Sequence, residues 1–126
     1  MTSHRIAGAV LVGMLALLVP ACGSGASQSA TTVAVIPGPY DFDYTIPLGT
    51  AARLARGEDI EVMPNELTAA LGQTIRIVNL DTKSHEVGSW YVLAGSTLTY
   101  RFVSTGTFVG VCTTHPSGQF TLTVTN

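Results

Sequence analysis

The chain has 126 residues, 11% of them charged, with a formal net charge of −2. The charged share is about half that of an ordinary soluble domain, and no basic face exists for a nucleic-acid backbone, so DNA and RNA are excluded as partners. The length accommodates one domain and excludes a multidomain enzyme.

Residues 1–21 open with His4 and Arg5, continue through the apolar run Ile6 to Val19, and close on Val19-Pro20-Ala21 ahead of Cys22. This pattern predicts a lipoprotein signal peptide, because the run is too short for a spanning helix, which needs about 20 residues. The small residues before Cys22 resemble a bacterial lipobox, in which the cysteine thiol carries lipid and anchors the mature chain to the extracytoplasmic face of the membrane. Gly, Ser and Ala dominate Gly23 to Thr32, so residues 22–38 read as the lipidated cysteine and a flexible tether. A folded domain is expected over 39–126. With Cys22 lipidated, Cys112 is a single free thiol in an oxidising compartment, where an unpaired cysteine calls for an occupant.

Beyond Val33 the pattern is short runs of alternating polarity bounded by Gly, Pro, Asn and Asp, which predicts an all-β fold. The expected strands are Tyr40 to Ile46, Asp59 to Met63, Thr74 to Asn79, His85 to Val92, Thr97 to Val103, Thr107 to Cys112 and Gln119 to Thr125. About seven strands in this space suggest a Greek-key β-sandwich, with one or two helical turns at Ala51 to Arg56. Leu98, Tyr100 and Phe102 alternate with Thr97, Thr99 and Arg101, and Phe120, Leu122 and Val124 alternate with Thr121, Thr123 and Thr125, so each of these strands buries one side. Gly72, Gly95 and Gly106 fall between runs, as turn residues do.

The domain's inventory of metal-binding side chains is small: His85, His115 and Cys112. A thiolate with two imidazoles matches a type 1 copper centre, since sulfur favours Cu(I), imidazole suits both oxidation states and a trigonal arrangement lies between their preferred geometries. Cys112-Thr113-Thr114-His115 places two of these groups at the end of one strand and in its loop. Zinc lacks a fourth ligand for a closed site, and the chain has no G-x-S-x-G for a hydrolase.

The surrounding residues resemble the cupredoxin family, the blue copper proteins such as plastocyanin and amicyanin, over about Glu61 to Val124. The resemblance rests on Val62-Met63-Pro64 with Leu67 and Gly72, on Asn79-Leu80-Asp81 before His85-Glu86-Val87, on Ala94 to Phe102 followed by Gly106-Thr107-Phe108, and on Cys112-Thr113-Thr114-His115-Pro116. It implies His85 Nδ1, Cys112 Sγ and His115 Nδ1 as ligands of one copper ion cycling between Cu(I) and Cu(II). It also implies that the backbone N–H of Glu86 braces the cysteine sulfur.

Departures from the family pattern are specific. Plastocyanin-like spacing places the axial methionine at Phe120 and amicyanin-like spacing at Gly118, and no methionine follows Cys112. Gly118 and Gln119 are the remaining weak axial candidates, although strand parity turns Gln119 away from Phe120. Met63 reads as core, and the Glu86 side chain points to the face opposite His85. The span from His85 to Cys112 is short, as though a strand or flap were trimmed near Ser89 to Leu93.

Trp90 and Tyr91 read as core or lid with a docking patch as the functional alternative, and Asp41, Asp43, Glu58, Asp59, Glu61 and Glu66 as a solvated face or an acidic docking patch. The leading expectation is a monomeric, membrane-anchored electron-transfer protein, not an enzyme, serving redox partner proteins of the cell envelope. The alternatives are a cell-surface copper carrier or scavenger and a metal-free cupredoxin-like interaction module.

Overall fold

Residues 36–126 are described by the structure, a computed structural model. The signal segment 1–21, the lipidation site at Cys22 and the tether as far as residue 35 lie outside the described residues. Ile36, at the tether's end, already contacts the domain: its N–H donates to Thr99 Oγ1 at 3.3 Å and its carbonyl accepts the Tyr40 hydroxyl at 2.7 Å.

In chain order the elements are β1 (Phe42–Ile46), α1 (Thr50–Ala55), β2 (Glu66–Ala70), β3 (Thr74–Asn79), β4 (His85–Gly88), β5 (Trp90–Val92), β6 (Thr97–Arg101), β7 (Gly106–Cys112) and β8 (Gln119–Thr125). They form the expected all-β sandwich, one sheet in the order β1-β3-β6 and the other in the order β2-β8-β7-β4-β5. Alternation drives the layering. Ile75 and Ile77 of β3 and Phe120, Leu122 and Val124 of β8 turn inward, and they meet Ile46, Val87, Val92 and Cys112 in one core cluster. Each of the fully enclosed Ile, Val and Phe side chains contributes about 1.5–3 kcal/mol of transfer free energy.

The strands depart from the sequence-based expectation in three places. Asp59 to Met63 forms no strand; Ile60 and Met63 are buried without joining a ladder, and β2 instead pairs in parallel with β8, Leu67 opposite Leu122 and Ala69 opposite Val124. The run His85 to Val92 is a hairpin rather than one strand, because Gly88 has a φ of 59° and reverses the chain so that Val87 faces Trp90. Tyr100 is only partly covered, although it alternates with Arg101 as predicted.

Several expectations about surface and core are answered here. Met63 belongs to the core cluster. Trp90 packs against Tyr100, Phe102 and Phe120 at ring-centroid distances of 5.5, 6.2 and 6.4 Å, while Tyr91 is exposed. Three of the acidic residues are matched locally: Asp41 caps the Thr74 backbone N–H at 2.7 Å, Asp43 pairs with Arg76, and Glu58 pairs with Arg53 and Arg56.

The site depends on how β4 meets β7. Val87 is opposite Cys112 and Gly88 opposite Val111, so the strand that begins with His85 lies beside the strand that ends in Cys112. This approach is close: a Cβ on Gly110 would sit 2.7 Å from the carbonyl carbon, Cα and oxygen of Gly88. Backbone cannot yield as a side chain can, so Gly110→Ala is expected to push the two strands apart and to cost about 1–3 kcal/mol, read as a lower urea midpoint. An unchanged midpoint would show that the strands separate freely.

Candidate metal centre

His85 is placed by the segment that joins β3 to β4. Asn79, fully buried at the end of β3, donates from Nδ2 to the carbonyls of Lys83 at 2.9 Å and Val92 at 3.1 Å, and its Oδ1 accepts the Asp81 N–H at 2.9 Å. This winds residues 80–84 tightly and turns Asp81 inward. Asp81 Oδ1 accepts the N–H groups of Gly49 at 3.0 Å and Thr82 at 2.8 Å. Its Oδ2 accepts the Ala51 N–H at 2.8 Å and lies 2.9 Å from His85 Nε2. The two side chains are only 2% and 1% exposed, His85 and Asp81 respectively.

Burial alone would raise the Asp81 pKa, but the hydrogen bonds from Ala51, the His85 ring, Gly49 and Thr82 together outweigh it and hold the carboxyl down at about 2. An ionised carboxylate only accepts, so the hydrogen between it and His85 resides on Nε2. Nδ1 therefore faces the other way, 3.1 Å from Thr113 Oγ1. That hydroxyl accepts the Glu86 N–H at 2.9 Å, and Nδ1 is the nearer acceptor for its own hydrogen, the Glu86 carbonyl standing at 3.4 Å.

Cys112 ends β7 with its thiol enclosed, Sγ lying 3.2 Å from the hydroxyl of the fully buried Thr114. The loop beyond it is short and self-closing. Cys112 N–H donates to the Gly118 carbonyl at 2.9 Å and Gly118 N–H to the His115 carbonyl at 2.9 Å. His115 is half-buried; its Nδ1 accepts the Ser117 N–H at 3.1 Å and lies 2.8 Å from Ser117 Oγ. Together with Leu54, Asp59, Cys112 and Pro116 it lines an open cleft.

The structure thus brings His85 and Cys112 onto paired strands, and Cys112 and His115 onto one cleft. Each of the three candidate donor atoms is faced by a hydroxyl of the same loop, from Thr113, Thr114 or Ser117. Among the described residues, no three His, Cys, Asp or Glu side chains stand close enough to share an ion.

The Glu86 N–H goes to the Thr113 hydroxyl and not to the cysteine sulfur, whose polar neighbour is Thr114 Oγ1. Gly118 has no side chain to offer and its carbonyl is taken by Cys112 N–H. Gln119 is exposed, in a shallow surface hollow with Asn65, Glu66, Ser117 and Thr121, on the face opposite buried Phe120 and Cys112. Sequence reasoning missed Asp81 and the three hydroxyls; the one signal for Asp81 is its position four residues before His85 in a turn-rich stretch.

No family model and no curated relative matches the chain. It is similar to the solved structure of a purple cupredoxin from Nitrosopumilus maritimus, 22% identical, covering 68% of this chain and 100% of that one with a TM-score of 0.42. It is also similar to amicyanin from Paracoccus versutus, 17% identical over 73% of this chain and 87% of that one, with a TM-score of 0.45.

The Asp81 geometry fixes an acid dependence. Its ordinary pKa is 3.8 and its folded value about 2, so between these the unfolded chain binds the proton that the folded chain refuses. Its contribution to stability is therefore complete above pH 3.8 and lost as pH falls through about 2. Urea midpoints measured from neutral pH down to this range should fall more steeply for the unaltered chain than for Asp81→Asn. Parallel curves would show that Asp81 is not held ionised by its partners.

Proposed function

We propose that the chain is a copper-binding electron-transfer protein in which His85 Nδ1, Cys112 Sγ and His115 Nδ1 hold one ion. The observation that carries this reading is the orientation of His85: with Nε2 committed to Asp81, its Nδ1 is turned toward the loop that follows Cys112. The donor set fits copper in kind, a soft sulfur with two imidazoles. When bound, copper supplies a one-electron couple with little rearrangement of such ligands.

The chain's own residues supply the rest. The sandwich keeps the Cys112 thiol out of water, and the half-buried His115 in its open cleft provides the edge through which a partner protein exchanges the electron. Closing the site calls for the three donor atoms to leave their hydroxyl partners. Met63 lies in the core and the Gly118 carbonyl accepts the Cys112 N–H, so the residues that would hold copper are one thiolate and two imidazoles, a set that would favour Cu(I) and a high reduction potential. The protein acts on the extracytoplasmic face of the membrane, anchored through lipid on Cys22, as a monomer that passes electrons to redox proteins of the envelope and turns over no substrate.

A second reading, a surface copper carrier, is favoured by the same hydroxyl contacts, since a set of donors that must be released from other partners also lets an ion go. Reversible voltammetry without loss of metal to a chelator selects the electron-transfer reading; rapid loss selects the carrier.

Copper(II) titration is expected to give one-to-one binding with an intense visible thiolate-to-copper band, abolished in Cys112→Ser. His115→Ala is expected to weaken binding while leaving the fold intact, because its side chain lies outside the core. Absence of stoichiometric binding by the unaltered chain overturns the reading.

A further inference from the structure

We infer that Asp81 is a positioning residue whose carboxylate decides which nitrogen of His85 is presented to the Cys112 loop. This deepens the proposed function, since it concerns the same histidine, but its geometry stands without a metal. A carboxylate offers about four acceptor positions, and all four are used here: three take the backbone N–H groups of Gly49, Ala51 and Thr82, and the fourth takes His85 Nε2–H. The three backbone bonds would suffice to tie the start of α1 to residues 80–84. The fourth does something else. It places the hydrogen of the neutral imidazole on Nε2 and the lone pair on Nδ1, where Thr113 Oγ1, 3.1 Å away, has a hydrogen to donate.

Replacement by the isosteric amide reverses the instruction. An asparagine at 81 has one acceptor and one donor end. Its oxygen is best placed where Oδ1 now meets two backbone donors, Gly49 and Thr82. Its amino group then stands where Oδ2 was, forfeits the one bond from Ala51 N–H in place of the two at Oδ1, and offers hydrogen to His85 Nε2, which must become the acceptor. The imidazole hydrogen moves to Nδ1, and the atom aimed at the loop ceases to be a free donor. Orienting partners of this kind change metal affinity by about 10- to 100-fold when removed.

The test is nitrogen-15 NMR of the histidine rings in the metal-free chain at one fixed neutral pH, for the unaltered protein and Asp81→Asn, followed by copper(II) titration of both. The expected result is hydrogen on Nε2 of His85 in the unaltered chain, hydrogen on Nδ1 in Asp81→Asn, and copper binding weakened about 10- to 100-fold in the variant. A residue that merely braced the loop would lower the urea midpoint and leave the tautomer as it was; that outcome overturns the inference. If Asp81→Asn does not fold, the unaltered chain still decides, because a His85 carrying its hydrogen on Nδ1 contradicts the assignment. Failure of the unaltered chain to bind copper, with the tautomer as stated, removes the copper reading and leaves the positioning role standing.

Discussion

A single buried carboxylate joins the start of α1 to the segment that leads into β4 and to the ring of His85. Asp81 holds the N–H groups that open α1, the turn at Thr82 and the ring of His85. A charge enclosed this completely is stable only when its oxygens are satisfied, and here every hydrogen bond it makes also fixes the position of a neighbour. The start of α1, residues 80–84 and the head of β4 therefore form one rigid corner. Asn79 buttresses it from behind, linking the same corner to the end of β5 through Val92.

Opposite that corner stands a more adaptable element. The loop from Thr113 to Ser117 is pinned at its ends by backbone bonds between Cys112, His115 and Gly118, while its hydroxyls attend the sulfur and both imidazoles. Hydroxyl rotors give up a partner at modest cost, since a single such bond contributes about 1 kcal/mol net. The centre thus combines a histidine held fast by an anion with a cysteine and a second histidine held by exchangeable contacts.

The sheet strands with clean alternation were legible in the sequence: β3 and β8 appear where Ile75, Ile77, Phe120, Leu122 and Val124 set the period. β2 was not, because Leu67 and Ala69 are a weak apolar pair next to the richer run Ile60 to Met63, and only the parallel neighbour β8 makes them a strand. The alternating run predicts one strand where the β4–β5 hairpin forms, because a glycine inside such a run does not announce the sign of its φ. At the candidate site, residue type alone makes His85, Cys112 and His115 the candidates. Asp81 was hidden because an aspartate after Asn-Leu and before Thr has the appearance of an ordinary turn residue, and burial of its side chain is a property of three segments meeting, which no local pattern encodes.

The aromatic cluster behind β4 has an optical consequence. Trp90 is the chain's only tryptophan, and its indole rests on Phe120 and Phe102, partly buried, one residue from the Gly88–Ser89 reversal. Its fluorescence therefore arises from one known place, at the seam between the two sheets. Any loosening of that seam admits water to the indole and shifts its emission to longer wavelength, so the molecule carries a built-in reporter for the integrity of the wall that shelters its thiol.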